Sequence, residues 1–255
     1  MAKNKYICAM NKMFTAIIMM CATAICCTGQ TFLNKYPKLT KKNLSEFFFE
    51  WKAYSDSVAS TVNCKSDVCN AINAEMDSIF RLIRFLEGNL SHDYFGKPYY
   101  RYGIIPQKIP VEYYSITPTP NDTLFFQYDY ASLYEEIVVR DTITPKLRPN
   151  ELYLTGGISD RLMEFITGGN VANKRPHKFM KKNIKELRRY IGWYNGEHNG
   201  GVIFNDYPYV WKVQATNDFI VLHIRDSNYS GYEQWYLKRD NQFEKLKGKR
   251  GTWIE

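Results

Sequence analysis

The last third of the chain admits few folds. Residues 209–237 contain three segments of strict two-residue alternation. Tyr209, Trp211 and Val213 alternate with Val210, Lys212 and Gln214; Phe219, Val221 and His223 alternate with Ile220, Leu222 and Ile224; Tyr232, Gln234 and Tyr236 alternate with Glu233, Trp235 and Leu237. A period of two places successive side chains on opposite faces of a strand. The joints are short turn sequences, Asn217-Asp218, Ser227–Gly231 and Asp240-Asn241, and a shorter run follows at Gln242–Lys247. Strands in series with turns this short pair with their neighbours, so an antiparallel meander is expected. Such a sheet needs an apolar layer over one face, which makes the fold α+β.

Upstream the period changes. Leu44, Phe47, Phe48, Trp51, Tyr54 and Val58 recur at steps of three and four, the pattern of one helix face. Ser66 reads as an N-cap with Asp67 in the first turn. Val68, Ile72, Met76, Ile79, Ile83 and Leu86 mark a second helix, expected to end at Gly88. Together they predict an N-terminal helical hairpin locked at its turn by Cys64 and Cys69. Residues 88–120 hold five of the ten prolines, and proline cannot donate to a ladder, so no central strand is expected before Val111. Short strands are expected at Val111–Thr117, Thr123–Tyr130 and Glu135–Ile143. A short helix over Ile158–Thr167 should stop at Gly168-Gly169. Another should enter at Pro176 with Met180, Ile184, Leu187 and Ile191 on its apolar face, and this helix is the one expected to cover the meander. The order of helices then strands occurs at 44–143 and again at 158–247, which fits a two-fold duplication.

The first thirty residues read as an export signal. Lys3, Lys5 and Lys12 precede fourteen apolar or small residues, Phe14–Cys27. A membrane-spanning helix needs about 20 apolar residues, so the run fits a signal core instead. The expected organisation is a signal peptide at 1–29, a helical hairpin plus short strands at 30–149, and a helix-backed meander at 150–255. Cys21, Cys26 and Cys27 follow Met20, Ile25 and Cys26, so none has the small residue before it that lipidation favours, and a periplasmic or secreted product is expected over a lipoprotein. Loss of residues 1–29 would remove three Lys and four of the six Cys, lowering the net charge from +8 to +5. Cys64 and Cys69 would remain, a pair expected to form a disulfide in an oxidising compartment.

The segment Glu151-Leu152-Tyr153-Leu154-Thr155, then Leu162-Met163-Glu164-Phe165, a basic helix, a Gly-rich loop and a meander ending Gly231-Tyr232-Glu233-Gln234-Trp235-Tyr236 resembles uncharacterised exported bacterial proteins over about residues 150–250. The resemblance implies a cystatin-like cone, a helix packed on a curled antiparallel sheet. The family's Gly-His-Trp-Gly-Gly loop is matched here by Glu197-His198-Asn199-Gly200-Gly201, without the Trp.

Three constellations could carry function. The loop Trp193–Asp206 gathers Trp193, Tyr194, Glu197, His198 and Asp206 among glycines, and His198 oriented by Glu197 or Asp206 could act as a base. The basic helix carries Lys181, Lys182, Lys185, Arg188 and Arg189 beside the single acid Glu186. Aromatics make up 16% of the chain, and strand Tyr and Trp, among them Tyr207, Trp211 and Trp235, could stack on sugar rings. No HExxH, Walker A or GxGxxG motif occurs, and the His residues are scattered, so neither a metal nor a cofactor is expected. The expected function is therefore a non-catalytic binding or interaction module of the cell envelope. The alternatives are a hydrolase of an envelope or dietary polymer using His198, and a carbohydrate-binding module. An acidic protein, a glycan or a membrane surface would be the partner; nucleic acid is not expected.

Overall fold

The structure, a computed structural model, describes residues 32–81, 84–86, 89–91, 101–114, 137–169, 180–192, 194–195, 202–204, 208–225, 230–247 and 250–254. The export signal and the strand expected at Thr123–Tyr130 lie outside them. The fold is mixed α+β.

The first apolar run forms α1 (Leu44–Ser60) and the second α2 (Asp67–Arg81). Ser66 caps α2 as expected, its Oγ accepting from the Cys69 N–H at 3.2 Å. The Cys64–Cys69 disulfide closes the turn between the helices, with Cα atoms 5.6 Å apart. Two expectations fail here. α2 stops at Arg81 rather than near Leu86, because Arg84–Leu86 (β1) pairs antiparallel with Asn89–Ser91 (β2). Nor do the helices share one core along their length: most of the buried face of α1 lies in the second core, and only Val58 and Ala59 near its end join α2 in the first.

The first core lies between α2 and the main sheet. That sheet has the order β12-β11-β10-β9-β4-β5, with β13 also on β11. The meander is as expected: β9 (Tyr209–Ala215), β10 (Phe219–Arg225), β11 (Ser230–Arg239) and β12 (Gln242–Lys245), all antiparallel. Asp240 and Asn241 take φ of 47° and 63°, the left-handed pair that tightens a hairpin turn. β13 (Arg250–Ile254), which lacks clear alternation, pairs with the first part of β11 while β12 pairs with the second. β4 (Ile109–Tyr114) joins β9 in parallel and β5 (Ile137–Ile143) antiparallel, so the sheet is mixed. β4 thus begins before Val111 and contains Pro110. The proline is tolerated because pairing to β9 spans only Val111–Tyr113, leaving Pro110 exposed and paired on one side.

The helix that covers the sheet is α2, not the one preceding the meander. Val68, Ile72 and Met76 of α2 pack on Val213, Leu222 and Tyr236 of the strands. The second core holds Phe47, Phe48 and Trp51 of α1 against Leu162 and Phe165 of α3 (Gly156–Thr167) and Leu187 of α4 (Lys181–Leu187). Thr155 caps α3, and Gly168 ends it at φ 69°. A side chain at Gly168 would also collide with Met180, whose sulfur lies 2.6 Å from where a Cβ would sit. Met180 has extended backbone, so α4 starts at Lys181 and Met180 flanks it instead of joining its apolar face.

Between the cores runs a parallel pair, β3 (Gly103–Pro106) and β6 (Glu151–Leu154). Ile104 and Leu152 face the second core, Ile105 and Tyr153 the first. Trp51 Nε1 donates to the Tyr153 carbonyl at 2.8 Å, and Ser55 Oγ accepts from the Tyr153 N–H at 3.1 Å. The segment leading into β6 is clipped to α2: Arg148 donates to Asp77 Oδ1 at 2.9 Å and to the Asn73 carbonyl at 2.6 Å.

Trp51→Ala should cost about 3–5 kcal/mol, since it empties the second core and strands the Tyr153 carbonyl. Cys64→Ser should cost about 2 kcal/mol in the chain-entropy account of so short a loop. Urea unfolding of each variant reads both values.

Candidate functional site

With α2 on one face of the main sheet, the other face carries Lys212 and Gln214 of β9, Phe219, Val221 and His223 of β10, and Glu233, Trp235 and Leu237 of β11. Cross-strand register puts Lys212 of β9 and Glu233 of β11 on either side of His223 of β10, and Glu112 of β4 beside Gln214 of β9. The register slips between His223 and Ile224, whose β9 partners are Lys212 and Val210. Trp211 is the extra residue of this bulge. Bulges re-aim side chains, and here Trp211 leaves the face of Val213, where strict alternation places it, to stand 39% exposed with its ring 5.9 Å from that of His223.

The side chains join in one line across four strands. Lys212 Nζ lies 2.7 Å from Glu112 Oε2, which also accepts from the Tyr114 hydroxyl at 2.8 Å. Gln214 Nε2 donates to the Tyr114 oxygen at 3.0 Å, and its Oε1 lies 2.8 Å from His223 Nε2. His223 Nδ1 faces Glu233 Oε1 at 3.5 Å, and Glu233 Oε2 accepts from Trp235 Nε1 at 3.2 Å. The Tyr114 proton goes to Glu112 and the Gln214 amide to Tyr114. Gln214 Oε1 therefore needs a donor, which puts the His223 proton on Nε2 and leaves a lone pair at Nδ1.

Burial holds His223 down to about 4, with the Lys212 charge acting in the same direction and Glu112 against it. The ring is therefore neutral at pH 7. Burial raises the Glu112 carboxyl, but the hydrogen bonds from Lys212 and Tyr114 outweigh it and leave the group below its ordinary range. Burial, and then the bond to Glu112, pushes the Tyr114 hydroxyl up. The line is thus a fixed set of donors and acceptors, anionic at Glu112 and cationic at Lys212.

Of the candidate residues in the sequence, Trp211 alone falls at this site. Tyr194 lies in β7 (Tyr194–Asn195), which pairs with β8 (Val202–Ile203). Trp193, Glu197, His198, Asp206 and Tyr207 lie outside the described residues. Lys181, Lys182, Lys185, Arg188 and Arg189 are exposed on and just beyond α4, whose Leu187 packs in the second core. Of the expected aromatic platform Trp211 is exposed, whereas Tyr232 and Tyr236 are buried in the first core, beneath α2, and Trp235 is buried with Phe219 and Val221. Glu112, Tyr114, Gln214, His223 and Glu233 are not among the sequence candidates. Their signal is the polar half of each alternating strand, but only the cross-strand register brings them together. Among the described residues, no group of three or more His, Cys, Asp or Glu is placed to hold a metal ion, and no helix is long and apolar enough to cross a membrane. No protein-family model, curated protein or solved structure matches the chain.

His223 makes stability pH-dependent. Its pKa is lower folded than unfolded, so the folded state binds fewer protons between the two values and stability rises with pH across that window. Thermal midpoints should therefore fall as pH drops from 6.5 towards about 4. His223→Gln, which keeps a donor towards Gln214, should flatten that part of the profile.

Proposed function

We propose that this chain is an exported, non-catalytic binding module whose ligand surface is the part of the sheet face opposite α2 that surrounds Trp211. The observation that carries the reading is the bulge at Trp211, which holds an exposed indole beside a pre-arranged polar line. An indole face stacks on flat apolar surfaces, and fixed donors and acceptors at its edge read the polar rim of a ligand. That combination suits a carbohydrate ring. His223 Nε2 is tied to Gln214 Oε1, which supports a positioning role for the imidazole over a reactive one. Export is supported by the signal-like N terminus and by the Cys64–Cys69 disulfide, a bond that persists in oxidising compartments.

The layer of α2 on the β9–β12 meander also supports a cystatin-like reading of that unit, with the covering helix drawn from the N-terminal half. A two-fold duplication gains less support, since α2 covers the sheet while α3 and α4 pack in the other core.

A glycan array followed by calorimetric titration tests the ligand surface. Trp211→Ala should weaken binding of any array hit about 10-fold, the loss of one aromatic stack, with an unchanged thermal midpoint. Hits that bind the variant as well as the parent would sink the reading. Turnover of a bound polymer, abolished by His198→Ala, would replace it with the hydrolase alternative.

A further inference from the structure

A second surface lies on the other core. Lys181, Lys182, Lys185, Arg188 and Arg189 are all exposed. The acid among them, Glu186, is already matched by Lys41 at 3.0 Å and Arg189 at 3.1 Å. The Lys41 bond and a stack of Phe48 on Tyr190, with centroids 4.3 Å apart, fasten α4 to the start of α1. The lead-in therefore adds its own exposed cations, Lys38 and Lys42. Lys38, Lys41 and Met180 line one cleft of about 500 Å³, so the lead-in and the start of α4 form a continuous surface. Two large apolar side chains are exposed on the elements that carry these cations. Phe49, next to the stacked Phe48, is 74% exposed, and Met180, next to Lys181, is 46% exposed.

We propose that this corner docks on the surface of an anionic phospholipid bilayer. The cations match the charge of the headgroups, and each Lys or Arg near such a surface adds to the attraction. Charge alone would serve a soluble polyanion equally well. Phe49 and Met180 decide for the bilayer: a polyanion offers nothing to bury them, whereas the boundary between headgroups and acyl chains does. The inference is independent of the sheet-face site, and either can fail without the other.

Flotation with vesicles tests it on the 255-residue chain. Every form compared carries the same N-terminal segment, so differences between forms report on this corner. Partition into phosphatidylglycerol-containing vesicles should exceed that into phosphatidylcholine alone, and should fall with added salt. Replacing Lys181, Lys182 and Lys185 by Glu should lower the anionic partition roughly 100-fold, with the same thermal midpoint as the parent. Phe49→Ser should lower it several-fold while leaving the salt dependence unchanged. Equal partition of the triple variant and the parent would overturn the proposal. So would an unaffected Phe49→Ser variant, or binding to soluble polyphosphate without binding to vesicles.

Discussion

The fold depends on a two-stranded ribbon with no exposed face. β3 and β6 send Ile105 and Tyr153 into one core and Ile104 and Leu152 into the other, so neither core is complete without them. A parallel pair buried on both sides is mostly apolar, and all its polar groups need partners: the buried Glu151 carboxylate accepts from the Arg148 N–H at 2.7 Å. Trp51 and Ser55 supply two of these from α1, at the backbone of Tyr153 itself. The Tyr153 hydroxyl reaches the Pro145 carbonyl, and Arg148 ties the same approach segment to α2. One residue thus has its backbone held by one helix and its ring embedded beneath another.

The arrangement of the sheet follows from that join. Because α2 is fixed over one face, Lys212, Gln214, His223 and Glu233 go to the other, beside an apolar cluster of Phe219, Val221 and Trp235. A partly buried polar line is costly unless each member is paired. Here the proton positions run consistently from His223 to Glu112, and Lys212 balances the carboxylate. The register also slips at Tyr113/Tyr114 and at Gly231/Glu233, but the bulge at Trp211 is the one that turns an aromatic ring outward beside the polar line.

Much of this is legible residue by residue. The meander, the Asp240-Asn241 turn, the Ser66 cap and the glycine stop at Gly168 are local features, set by a few neighbouring side chains and read from them. What escapes such a reading is non-local. Nothing in Ile109–Tyr114 announces that it will lie parallel to a strand about a hundred residues later, or that α2 rather than α4 will cover the meander. Apolar periodicity says that a helix has a face to bury, not which surface will receive it. The end of α2 fails for a different reason: the step to Leu86 suits a helix, but Arg84–Leu86 pairs as a strand with Asn89–Ser91. The polar line is invisible in the sequence because its members come from four strands and become neighbours only through register. The expected catalytic loop stands apart from both cases, since His198 and its carboxylates lie outside the described residues.

The parallel seam between β4 and β9 also has a meaning in time. Residues are made in order, and β4 leaves the ribosome long before β9 exists to pair with it. Until residues 209–236 follow, the apolar stripe of α2 has no sheet to cover and β4 lacks its inner neighbour. The N-terminal half therefore cannot close its core during synthesis, and the nascent chain stays open until its last third is complete. Late closure is a hazard for a protein that must fold where it is made, and an asset for one that must be threaded unfolded across a membrane before it closes.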